Sequence, residues 1–89
     1  MKPRITISLS ETGELLIFLN EEGKSDLMRE LQRLDLHYEH FHLGVEDLGG
    51  LDLSDVPYDP KDQIVRYAKV LFRPDEWDRE YYPHVMEKN

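Results

Sequence analysis

The sequence predicts a small α+β domain in two layers. A mainly antiparallel sheet of about four strands is covered by one helix, in the order β-β-α-β-loop-β, with a short C-terminal helical tail. Three observations predict it. Residues 4–10 alternate strictly, Ile5, Ile7 and Leu9 against Arg4, Thr6, Ser8 and Ser10, the period of a half-buried strand. Leu27, Met28, Leu31 and Leu34 recur at helical spacing. Leu36 to Gly44 interleaves apolar residues with histidines, again with a period of two.

Each element follows from its residues. After the first strand, Glu11-Thr12-Gly13 offers a tight hairpin turn in which Gly13 takes a positive φ. Glu14 to Leu19 is then an apolar run of strand length, as expected of a strand in the middle of a sheet. Ser25 caps a helix over 25–34, with Asp26 in the first turn, where negative charge is favoured. The leucine stripe of that helix covers the sheet face bearing Ile5, Ile7, Leu9, Phe41 and Leu43. The histidine strand spans about 36–43, and a short edge strand is expected at 51–53 inside a loop running from Gly44 to Asp62. Ile64 to Arg73 reads as the last strong strand. Pro74 opens one or two helical turns that Pro83 stops. The chain of 89 residues is one domain, with a core at about 4–73 and a tail at 74–89.

Composition narrows the function. There is no cysteine, which excludes a disulfide scaffold, a thiolate metal site and a cysteine nucleophile. The N-terminus lacks the apolar stretch of a signal peptide, and no apolar run approaches the roughly 20 residues of a spanning helix. A cytoplasmic protein with no membrane partner is the expectation. The net charge of -8 opposes binding to nucleic acid, which needs clustered Lys and Arg. It favours a basic protein partner, or serves simply to solvate the surface.

Two regions carry candidate chemistry. On a strand, His40 and His42 project together, and an H-x-H pair can give two imidazole nitrogens to zinc. His37 and Glu39 fall on the opposite strand face, so neither is a natural third ligand. The simpler reading is that these imidazoles hydrogen-bond to neighbouring strands or lie at a half-exposed sheet surface. The second region is the acidic loop. Asp52, Asp55, Asp59 and Asp62 lack the spacing of a calcium loop, and prolines interrupt them. Asp52, Asp55 and Asp59, with Tyr58, Trp77 and Tyr81, have instead the ingredients of a protein-binding surface: aromatic anchors, and carboxylates that speed association with a basic partner. Packing of the tail onto the core is the other reading of Trp77 and Tyr81, spaced i and i+4. No nucleophile elbow or phosphate-binding glycine loop is present, so no catalytic residue is assigned and an enzyme is not expected.

Glu39-His40-Phe41-His42-Leu43, followed by Gly49-Gly50-Leu51-Asp52-Leu53-Ser54, is similar to a small family of predicted bacterial immunity proteins of polymorphic toxin systems. Their recurring features are an (E/D)-H-x-H-L strand and a Gly-Gly-x-(E/D)-Leu-(S/T) element. The resemblance covers roughly residues 5–73. This chain has Leu48 where members often carry an aromatic residue before the glycine pair. The resemblance implies a compact α+β fold and a binding protein that neutralises a toxin made by its own cell, with no catalytic residue to transfer. The alternatives are a small zinc-binding histidine domain and a domain whose histidine strand only holds the sheet together. An apolar edge strand would also support a homodimer.

Overall fold

The computed structural model describes residues 2–46 and 49–87. The chain is α+β. Strand β1 (Ile5–Leu9) turns at Gly13, whose φ of 87° is the left-handed geometry the hairpin requires. It returns as β2 (Leu15–Leu19), antiparallel, with Ile7 opposite Ile17. Helix α1 (Glu21–Arg33) follows, then β3 (His40–Gly44), β4 (Leu51–Asp52), β5 (Gln63–Ile64), β6 (Tyr67–Leu71) and helix α2 (Asp75–Tyr81). Among the described residues the strands form two three-stranded sheets, ordered β2-β1-β5 and β4-β3-β6. All the pairings are antiparallel except β3 with β4, which is parallel.

Two segments stitch the sheets together. The chain at 51–54 starts beside β3, with Leu43 opposite Leu51, and ends on β1, where Ser54 N–H donates to the Ile5 carbonyl at 2.8 Å. The chain at 63–71 crosses the other way. Gln63 and Ile64 pair with β1, Val65 N–H donates to the Ile7 carbonyl at 2.8 Å, the Arg66 carbonyl accepts from Val45 N–H at 2.9 Å, and β6 then runs along β3. This crossing is why the single strand expected at 64–73 is two strands with a break at Val65–Arg66. A ladder cannot continue when its hydrogen-bonding partner changes.

The core consists of Ile5, Ile7, Phe41, Leu43, Val45 and Leu53, with Leu27, Leu34, Tyr38 and Val70 packed against it. Leu27 and Leu34 of the helical stripe therefore cover the sheet as expected, whereas Leu9, Met28 and Leu31 stay exposed. β1 is buried on both faces. Thr6 and Ser8 point away from the core cluster, yet they are only 1% and 0% exposed. Neither hydroxyl has a hydrogen-bond partner among the described residues.

Several boundaries move for identifiable reasons. α1 starts at Glu21 and is capped by Asn20, not Ser25. Asn20 Oδ1 accepts from Gly23 N–H and from Arg4 N–H, both at 2.8 Å, so one side chain ends the helix and ties it to β1. The apolar run at 15–19 is an edge strand rather than a central one. Leu15, Ile17 and Leu19 are 59%, 54% and 39% exposed. The histidine strand begins at His40, because Asp35 folds the preceding residues into a turn. Pro74 caps α2 from outside the helix instead of occupying its first position, and Pro83 opens a short 3-10 turn at Pro83–Val85.

Candidate functional site

The alternation of β3 sorts its side chains by chemistry. Phe41 and Leu43 are buried, His42 is exposed, and the His40 side chain is 36% exposed. The two imidazoles meet edge-on with centroids 5.1 Å apart. His40 Nδ1 lies 4.0 Å from Glu39 Oε1.

The turn before β3 changes the expected layout. Asp35 Oδ1 accepts from the N–H groups of His37 and Tyr38, both at 2.8 Å, an Asx turn of the usual kind. These bonds hold the Asp35 carboxyl below its ordinary range, with the His37 charge adding to the effect and burial opposing it. Because residues 36–39 are not strand, His37 and Glu39 are not held on the far face. With Leu36, His40 and His42 they line one open cleft of about 410 Å³. Tyr38 closes the base of this turn, donating its hydroxyl to Glu30 Oε1 of α1 at 2.8 Å, while the Arg33 guanidinium lies 4.5 Å from the Tyr38 ring centroid.

Lys69 of β6 stands directly opposite His42 and shares its face. Among the described residues, no group of three or more His, Asp or Glu side chains converges in a geometry that could hold a metal ion.

The acidic segment is more ordered than a free loop. Leu53 is buried, Ser54 is bonded to β1, and the Tyr58 ring stacks on Phe18 of β2 at 4.0 Å with 15° between planes. Beneath Tyr58 is a cleft of about 270 Å³ lined by Arg4, Thr6, Ser54, Val56 and Pro57. Asp52, Asp55 and Asp59 are exposed. Asp59 also braces its own turn, its Oδ1 accepting from Lys61 N–H at 2.9 Å. Asp47 and Leu48 lie outside the described residues.

The predicted binding residues separate into two groups. Asp52 lies opposite Gly44, at one end of β3, and Asp55, Tyr58 and Asp59 continue from it across β1 and β2. Trp77 and Tyr81 sit on α2, which follows the end of β6 whose Leu71 pairs with His40 at the opposite end of β3. There the Trp77 ring packs 4.8 Å from Tyr81 and 5.3 Å from Tyr82, with the Arg73 guanidinium 4.4 Å away over its face. The aromatic tail borders a cleft shared with Leu36 and Phe72, so it neighbours the histidines rather than the acidic segment.

The chain matches no protein-family model, no curated protein and no solved structure. Sequence reasoning missed His37 as a neighbour of the other histidines, and Phe18 as the platform for Tyr58. The first was signalled by Asp35, whose side chain commonly bonds backbone two and three residues on. The second had no local signal, since the two rings are far apart in sequence. No helix among the described residues is long and apolar enough to cross a membrane.

Proposed function

We propose that this chain is a non-enzymatic binding protein: an immunity-like inhibitor that neutralises a cognate bacterial toxin by covering a basic surface on it. The observation that carries the reading is the fixed acidic segment. Asp52, Asp55 and Asp59 project from backbone held by the Ser54–Ile5 hydrogen bond and the Tyr58–Phe18 stack. A surface already in its binding conformation loses little entropy on association. The excess of carboxylates steers a cationic partner toward it. In this reading the protein acts in the bacterial cytoplasm, where the toxin is made. Leu51-Asp52-Leu53-Ser54, part of the motif that resembles the immunity family, is also the segment that carries the chain from β3 to β1.

The test is capture of the tagged protein's partner from its host at low salt. The expected partner is stoichiometric, basic and toxin-like, and it is released as salt rises. Reversing Asp52, Asp55 and Asp59 together to Lys is expected to weaken that complex at least tenfold, mainly through slower association. Unchanged affinity in the triple variant would remove the acidic segment from the mechanism.

The alternative, a small zinc-binding histidine domain, draws on the fact that His37, His40 and His42 line one open cleft. Lys69 opposite His42 weighs against it. A ligand that binds only the folded state raises the melting temperature with its concentration. We expect equal melting temperatures in excess zinc and in chelator, and a zinc-dependent rise would reinstate the metal site.

A further inference from the structure

We propose that the free edge of β2 is a self-association surface. Two copies of this chain pair β2 antiparallel to β2 about a two-fold axis at Ile17, joining their β2-β1-β5 sheets into one.

The backbone geometry sets the register. Asn20 N–H donates to the Arg4 carbonyl at 3.1 Å and Ser10 N–H to the Glu14 carbonyl at 2.9 Å. Hydrogen-bonded and non-bonded pairs alternate along an antiparallel ladder. Leu19 opposite Ile5, Ile17 opposite Ile7 and Leu15 opposite Leu9 are therefore the non-bonded pairs. The carbonyls of Ile5 and Ile7 confirm it, since they accept on the other side of β1, from Ser54 and Val65. Leu15, Ile17 and Leu19 thus aim their N–H and C=O groups out of the sheet, and β2 is its edge.

The same three residues carry half-exposed apolar side chains. α1 adds to them. Asp26 lines a cleft with Gly50 and Asp52, and Glu30 bonds Tyr38, so that flank of the helix looks toward β3 and β4. Leu31 falls on the other flank and is 46% exposed, whereas Met28 lies further round the helix, in a groove with Glu21, Lys24, Ser25, Arg29 and Gln32. Natural edge strands are normally guarded by a charge, a proline or a bulge. β2 is Leu-Leu-Ile-Phe-Leu and has none of these.

A second copy of the chain fits this edge. With Ile17 on the axis, Leu15 meets Leu19 of the second copy, and every outward-facing residue finds another in phase, each pair exchanging two backbone hydrogen bonds. Glu14 falls opposite Asn20 rather than its own counterpart, so the register opposes no like charges despite the net charge of -8. The axis is perpendicular to the sheet, so both α1 helices lie on one face of the joined sheet. Leu15, Ile17, Leu19 and Leu31 expose roughly 400 Å² per copy, backbone included, about half the roughly 800 Å² per partner of a standard interface, which fits a weak dimer. The surface adjoins the acidic segment, whose Tyr58 stacks on Phe18 of β2, but the proposal does not depend on the toxin reading.

Sedimentation of the full chain over about 10–100 µM tests the proposal, with Ile17→Lys as the disrupting variant. The expected result is a dimer that becomes a monomer in Ile17→Lys, with an unchanged far-ultraviolet spectrum. Cysteine variants test the register, and the chain has no cysteine of its own. Under mild oxidation Ile17→Cys should cross-link with itself, because residues paired across the axis are within disulfide reach. Leu15→Cys should not, because it faces Leu19. A monomer at every concentration overturns the proposal, and so does a dimer that survives Ile17→Lys. Equal cross-linking by the two cysteine variants overturns it as well, and the cysteine pair decides if Ile17→Lys does not fold.

Discussion

Gly23 of α1 lies so close to the carbonyl oxygen of Arg4 that a β-carbon there would come within 2.5 Å of it, and within 3.0 Å of Ile5 Cγ1. The helix thus rests directly on the backbone of β1. In an exposed helix, replacing glycine by alanine stabilises by about 1 kcal/mol. Here the contact is with backbone, which cannot swing aside, and overpacking typically costs about 1–3 kcal/mol. Gly23→Ala is expected to lower stability by up to about 2 kcal/mol net, read as a lower urea midpoint. A raised midpoint would mean that α1 does not sit this close to β1.

Asn20 is expected to matter more than Ser25. It accepts from Gly23 and Arg4, and its Nδ2 donates to the Lys2 carbonyl at 2.9 Å. Loss of a helix cap costs about 0.5–2 kcal/mol, and Asn20→Ala should fall at the upper end of that range because it also breaks the bonds to Arg4 and Lys2. Ser25 is exposed inside the helix, and Ser25→Ala should change stability by less than about 0.5 kcal/mol. Equal effects in parallel denaturation curves would contradict the cap assignment.

Thr6→Val is expected to stabilise. The Thr6 side chain is buried, and its hydroxyl has no hydrogen-bond partner among the described residues. An unsatisfied buried hydroxyl carries a penalty of about 1–3 kcal/mol. Valine keeps the shape and the branching without it. A gain of about 1 kcal/mol in unfolding free energy is the expected outcome. A loss would show that the hydroxyl is satisfied in solution.

The Tyr38–Glu30 hydrogen bond should be visible in the acid limb of the stability curve. Chiefly that bond, joined by Arg33 and Arg29 and opposed by burial, holds the Glu30 carboxyl below its ordinary value. A lowered carboxylate pKa means that the unfolded chain binds its proton first as pH falls. The stabilisation is therefore present above the ordinary glutamate range and is lost as pH drops through the lowered folded value. Tyr38→Phe should flatten this slope and leave the curve at neutral pH parallel to that of the parent protein. A slope identical in the two proteins would show that the Tyr38 bond is not what lowers the Glu30 carboxyl.

Much of the fold was legible in short-range pattern. The first strand, the turn at Gly13 and the apolar sides of residues 41 and 43 appear where local periodicity placed them, although β1 is not the half-buried strand that its alternation predicts: Thr6 and Ser8 are buried and Leu9 is exposed. The helix and the terminal turns were also legible as elements, though not at their ends. The start of α1 depends on Asn20 bonding Arg4, a contact sixteen residues away in sequence. For the candidate site, the sequence supplied exposed carboxylates and paired histidines, but it grouped Trp77 and Tyr81 with the acidic loop. The order of strands around β3 places them at opposite ends.

By itself, then, the sequence determined the α+β class, the type of most elements and which face of β1 and β3 enters the core, because side-chain period and turn chemistry act over a few residues. Tertiary structure decided that the run at 15–19 is an unguarded edge, that the last strand divides between two sheets, and that His37 joins His40 and His42 in one cleft. Those features depend on which strand lies beside which. An apolar run such as Leu15–Leu19 reads the same whether a neighbouring strand covers its outer edge or nothing does.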